Sequence, residues 1–225
     1  MQTPHLFADL RVPRARPRFA AASFADATDA ELAELAEQSG FAGVATLDGD
    51  VLTWHHALDF QLTAFGEIDA GRVEPTENGM FEHALDGAYV ELWRREPRGG
   101  GPLFAAERRV AGRLEAVFVV AGDVFMFARN RRVAVQGATH LRALVANPGV
   151  SRETKIGALD CEISAGDASS FVIERSTLPW REGQSVQLSS LLPGSVVADE
   201  DDWAIRTNNF RSGPLARLVA SRTAY

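Results

Sequence analysis

Cysteine is almost missing from this chain, with Cys161 its only thiol. A single cysteine cannot close an intramolecular disulfide, so nothing in the composition demands an oxidising compartment. It sits in "GALDCEIS" between apolar neighbours and reads as a buried structural thiol rather than a nucleophile. Lysine is as scarce: Lys155 stands alone among 23 basic residues, the rest arginine, a bias that fits a GC-rich genome and a bacterial source. An excess of positive charge is missing too. With a net charge of −7, the chain lacks the field that phosphate backbones require, which argues against nucleic acid as a partner. The one basic cluster, Arg11, Arg14, Arg16 and Arg18, is broken by Pro13 and Pro17 and reads as an extended, solvated surface segment. No stretch reaches the roughly 20 apolar residues of a membrane span. The N-terminus has no basic-then-apolar-then-small leader, so the expected location is the cytoplasm.

Familiar catalytic signatures are also lacking. "IERSTLPW" (173–180) carries Ser176 but no Gly-x-Ser-x-Gly elbow and no histidine close by. "PRGGGP" (97–102) has glycines without the Lys-Ser/Thr and following helix of a phosphate loop. Zinc needs three or four His, Cys or carboxylate ligands. His5, His83 and His140 are scattered and Cys161 is alone. No metal and no cofactor is expected.

What is present is an ordinary globular composition, 46% hydrophobic and 24% charged over 225 residues. "HLFADLRV" (5–12) alternates Leu6, Ala8, Leu10 against Phe7, Asp9, Arg11 and predicts a strand. Its abrupt start suggests a natural chain that begins earlier. "FADATDAELAELAEQSG" (24–40) predicts a helix, with Thr28 and Glu31 spaced as a capping box and Gly40 placed to end it. After it the period changes to two. "FAGVATL", the turn "DGD" and "VLTWHHALDF" (51–60) form a hairpin. Further strands are expected at 80–84, 88–95, 103–109, 114–121 and 123–130. A second helical stretch within 138–160 is stopped by Asn147-Pro148. Strands then resume at 161–164, 171–176, 185–189, 202–208 and near 214–220. Many short strands with two short helices predict a mainly β protein, as barrels or a sandwich. A division near 125–135 leaves halves of similar strand count, 1–125 and 126–225.

The order "FADLRVP", "GFAG…LTW…DF", "YVELWRREP", "VFVVAGDVFMFARNR" and "FVIERSTLPWREG" resembles uncharacterised bacterial proteins akin to a yeast family whose namesake interacts with a casein-type kinase. The resemblance runs from about residue 6 to 208, with Trp54 and the triplet Glu91, Leu92, Trp93 as its best points. It implies two lipocalin-like (calycin-like) antiparallel β-barrels enclosing a pocket. It carries no catalytic motif and no partner to this chain, because a shared fold does not specify function.

Strand alternation sorts "VLTWHHALDF" into two faces. Leu52, Trp54, His56, Leu58 and Phe60 are expected on one, facing a core or a ligand cavity. His55 and Asp59 are expected on the other, so the adjacent histidines cannot chelate one ion together. His56 is either a core histidine with one partner or a ligand contact. In "AYVELWRR", Tyr89, Glu91, Trp93 and Arg95 share a face. If that face looks inward, Glu91 lies between two rings, and desolvation would raise its pKa. Alternatively Glu91 pairs with Arg129, which shares a face with Phe125 and Phe127. The ligand-binding set expected is therefore Trp54, His56, Phe60, Tyr89, Glu91, Trp93, Phe127 and Arg129. The first reading is a protein that binds a small hydrophobic molecule. The alternatives are an interaction module with filled barrels, or a cofactor-free isomerase, hydratase or lyase using Glu91 or His56 as acid–base.

Overall fold

The computed structural model describes residues 1–62, 68–135, 140–188, 203–213 and 215–216. Twelve strands among them form two six-stranded antiparallel sheets. The first is a meander of β1 (Phe7–Arg11), β2 (Ser39–Asp48), β3 (Val51–Asp59), β4 (Asp69–Thr76), β5 (Gly79–Ala84) and β6 (Val90–Arg94), neighbours in sequence order. The second contains β7 (Leu103–Val110), β8 (Arg113–Ala121), β9 (Val124–Arg129), β10 (Glu162–Asp167), β11 (Val172–Ser176) and β12 (Trp203–Asn208). Its spatial order is β11-β10-β9-β8-β7-β12. The chain changes sheets between Arg94 and Leu103, through a 3-10 turn at Pro97–Gly99. β7 therefore pairs with β12, from far beyond residue 125, and β8 with β9, which straddles that residue. No described helix is long and apolar enough to cross a membrane.

The expected hairpin forms as read, with Asp48 opposite Val51 and Gly49 at a φ of 61° in the two-residue turn. α1 (Asp29–Leu35) has the expected capping box. Thr28 Oγ1 accepts from Glu31 N–H at 3.2 Å, and the Thr28 N–H donates to Glu31 Oε2 at 2.9 Å. Gly40 does not end this helix, however. The helix stops at Leu35 with Ala36 as its cap, and Gly40 is already in β2. The second helical stretch also differs from expectation. α2 (Leu141–Ala146) stops before Asn147-Pro148, and Ser151 then caps a separate α3 (Arg152–Leu159) by accepting from Thr154 N–H. Residues 138–139 of that stretch lie outside the described residues. The 185–189 segment makes only a single bridge, Ser185 to Val172. Its last residue, and most of the strand expected near 214–220, lie outside the described residues.

The two sheets share a core. Leu6, Ala8, Ala42, Leu58 and Phe60 from the first meet Val117, Val119, Met126, Ala128 and Ile163 from the second. Leu32, Leu35, Leu141, Leu144 and Leu159 bring the three helices into the same core. Cys161 is fully buried there, and burial pushes its thiol up to about 11, as a structural thiol requires. The opposite face of the second sheet buries Phe104, Phe118, Phe125, Phe127, Phe171 and Trp203. Strands covered on both faces explain the nearly unbroken apolar runs of β8 and β9.

The first sheet behaves differently. Laid flat, β1 and β6 would be separated by five strand spacings, about 24 Å, and β3 and β6 by about 14 Å. Yet Arg11 of β1 reaches Glu91 of β6 at 3.6 Å, and the Trp54 and Trp93 rings stack with centroids 5.8 Å apart. The sheet curls into a half-barrel, with these side chains on its concave face. Among the described residues its two edges meet through side chains and not through a backbone ladder.

Candidate functional site

A β-bulge organises the concave face. Ala42 pairs with Leu58, but Gly43 pairs with His56, so Ala57 is an extra residue in β3. An extra residue shifts the alternation by one. Leu52, Trp54 and His56 therefore face the curl, whereas Leu58 and Phe60 turn into the core between the sheets. The expectation that all five share one face is corrected by this bulge. Gly43 makes it possible. A Cβ on Gly43 would lie 1.9 Å from the His55 carbonyl oxygen.

The phase shift also moves Asp59 to the side of His56. His56 Nδ1 lies 3.0 Å from Asp59 Oδ2, and its Nε2 lies 2.9 Å from Asp69 Oδ2 at the start of β4. The ring stacks on Phe41, with centroids 3.8 Å apart and planes 13° apart. Burial alone would lower the pKa of His56, but hydrogen bonds and charge from Asp59 and Asp69 outweigh it and raise it to about 9. At neutral pH the ring is an imidazolium that donates from both nitrogens. His55 points the opposite way, as expected, with Nε2 2.8 Å from Thr46 Oγ1 on an exposed face.

The second polar group of the face is Glu82, only 2% exposed. Its carboxylate accepts from Trp93 Nε1 at 2.7 Å and from the Tyr89 hydroxyl at 3.2 Å. Burial raises its pKa, against the pull of those two donors. Burial and the neighbouring Glu82 charge push Tyr89 up to about 12. Gly71, across the strand pair from Glu82, leaves the room that this carboxylate fills. A Cβ there would be 2.5 Å from Glu82 Cγ. The desolvated carboxylate expected at Glu91 is thus Glu82. Glu91 lies on the same face with its side chain 40% exposed, opposite Arg11. Val73 and Met80 supply apolar floor beside Trp54.

Trp54, His56, Tyr89, Glu91 and Trp93 therefore come together, and three expected partners do not. Phe60 is in the shared core and Phe127 is on the far face of the second sheet. Arg129 pairs with Asp160 at 2.7 Å rather than with Glu91. Asp69 and Glu82 were not singled out from the sequence. Glu82 had a readable signal, because "MFEHA" puts it between Met80 and Ala84 on one strand face. Asp69 had none, because β4 contains Gly71 and Pro75 and shows no apolar alternation.

Chemically, the face offers stacked indoles, a fixed imidazolium and a buried hydrogen-bonded carboxylate. Among the described residues, no group of three His, Cys, Asp or Glu side chains is arranged to hold a metal ion. Comparison with protein-family models, curated proteins and solved structures returns no match for this chain.

Proposed function

We propose that this chain is a small-molecule-binding protein of lipocalin-like architecture, whose ligand lies in the curl of the first sheet. The observation that carries the reading is the Trp54–Trp93 stack beside Glu82, on a concave face whose rim residues Tyr89, Trp93 and Met80 are partly open to water. Few polar groups in an aromatic surround is how ligand pockets are built. The resemblance to the yeast family of two lipocalin-like barrels supports the same reading, as does the curl itself. Carboxylates outnumber cations on this face, which favours a neutral or cationic apolar ligand over an anion. A bacterial, cytoplasmic setting is part of this proposal, and the arginine bias of the composition supports the bacterial source.

The acid–base alternative is weaker on geometry. Both His56 nitrogens are engaged by carboxylates, so proton transfer to a substrate would first break one of those bonds. A thermal-shift screen of hydrophobic small molecules, followed by native mass spectrometry of the hits, tests the binding reading. A ligand at a hundred times its Kd adds about 2.7 kcal/mol, or about 5–10 °C in Tm for a chain of this size. The gain is expected to vanish in Trp93→Ala and to persist in Phe210→Ala beside the second sheet. A gain untouched by Trp93→Ala places the ligand elsewhere and rejects the reading.

A further inference from the structure

Arg11 of the N-terminal arginine cluster serves the curl of the first sheet, but Arg16 and Arg18 border a separate cleft. Arg16, Arg18 and Phe19 on one side and Arg175, Trp180 and Glu182 on the other line a solvent-open cavity of about 460 Å³. Arg16 is the anchor, its side chain only 6% exposed. It donates to the Ser176 carbonyl at 2.6 Å and to Gln38 Oε1 at 2.7 Å, and it is ion-paired with Glu182. Its guanidinium also lies over the Phe19 ring at 5.9 Å. Glu182 Oε1 takes both Arg16 and the Ser176 N–H, the latter at 3.1 Å, while Oε2 faces Arg175.

Three guanidinium groups, Arg16, Arg18 and Arg175, line the cleft against the single carboxylate of Glu182, which leaves two positive charges in excess. Arg175 is 68% exposed and reaches Glu182 only at 3.8 Å. Arg18 is exposed and has no hydrogen-bond or ion-pair partner among the described residues. In a chain of net charge −7, this is a local concentration of positive charge walled by two aromatic rings. Guanidinium groups present planar forks that match an oxyanion, and ring faces match a flat apolar body. The volume is in the range of small-molecule sites, roughly 300–1,000 Å³.

We propose that this cleft binds a small aromatic anion, with a carboxylate or phosphate on Arg18 and Arg175 and a ring against Trp180 and Phe19. The anchored Arg16 shapes the site and does not need to move.

The chain has four tryptophans, and their indole N–H signals in a ¹H–¹⁵N spectrum report separate places: Trp54 and Trp93 in the curl, Trp203 in the second sheet, Trp180 in the cleft. Titration with phenyl phosphate and with benzoate is expected to move Trp180 and to leave Trp54 and Trp203 in place. Whichever anion binds more tightly identifies the oxyanion. Inorganic phosphate, lacking a ring, is expected to bind about tenfold more weakly, and phenyltrimethylammonium not to bind there. Arg18→Ala and Arg175→Ala should each weaken binding about tenfold, the scale of a lost charge-assisted hydrogen bond. Both side chains are on the surface, so unchanged Trp54 and Trp203 signals certify the fold of each variant. Trp180 signals unmoved by either aromatic anion, affinity unchanged in a chain carrying both Arg18→Ala and Arg175→Ala, or equal binding of phenyltrimethylammonium would each overturn the proposal.

Discussion

His56 should keep its proton well above the pH at which a histidine normally loses it, and Asp69 should be one of the two reasons. The ring is raised from 6.5 to about 9 by Asp59 and Asp69. Each pKa unit corresponds to about 1.4 kcal/mol, so the full shift would be worth about 3 kcal/mol. The His56 side chain is 17% exposed, and Asp69 is more open still. Screening by water at this half-open face reduces the contribution to about 1–2 kcal/mol. Because the folded pKa is the higher one, this stability is fully present below pH 6.5. It falls as the unfolded chain loses the proton between pH 6.5 and 9, and is gone above that window. Imidazole ¹H–¹⁵N correlation spectra across pH 5–10, with His56 assigned through His56→Gln, give the pKa directly. Urea unfolding at pH 6 and pH 9.5 gives the energy. Asp69→Asn keeps an oxygen for Nε2–H but removes a charge, so the pKa should fall by about one unit and the pH-dependent loss should shrink. A wild-type value at or below 6.5, or one indifferent to Asp69→Asn, would refute the clamp.

Two further expectations test the scaffold around that clamp. Gly43→Ala drives a Cβ into the His55 carbonyl, so the bulge must distort, at a cost of about 3 kcal/mol in urea unfolding. Since the bulge puts Asp59 beside His56, the same variant should lower the His56 pKa. Glu82 has a raised folded pKa, so its burial costs stability as pH rises from the ordinary carboxylate range through that folded value. Glu82→Gln stays neutral, so its unfolding free energy should show a smaller decline than wild type over that acidic range. An identical pH profile would mean that Glu82 is solvated.

Much of this arrangement is legible from pattern alone. The Asp-Gly turn, the Thr28–Glu31 box and the period-two runs are local signals, and each formed where local chemistry put it. The failures come from effects that local patterns do not carry. Alternation from Leu52 to Phe60 is broken by one inserted residue, which redirects Phe60 into the core and Asp59 onto the site. Gly43 inside an apolar strand was the available hint, because an isolated strand glycine often marks a bulge. β4 carries little β signal because Gly71 and Pro75 suppress it, although the room beside Gly71 is what seats Glu82. Arg129 could be assigned to a face from sequence, but its partner Asp160 follows from how α3 leads into β10. Which strands share a sheet is a long-range outcome, and it decides that Phe127 lies apart from Trp54.

The most direct test of a ligand seat in the curl uses a neutral hydrophobic probe and the tryptophan indole signals. Nile red titrated into the ¹⁵N-labelled chain should move the Trp54 and Trp93 signals together and spare Trp180 and Trp203, with the effect lost in Trp93→Ala. Saturable binding that moves Trp203 while leaving Trp54 and Trp93 fixed would put the apolar ligand in the second sheet. That result would contradict the assignment of the concave face as the binding site.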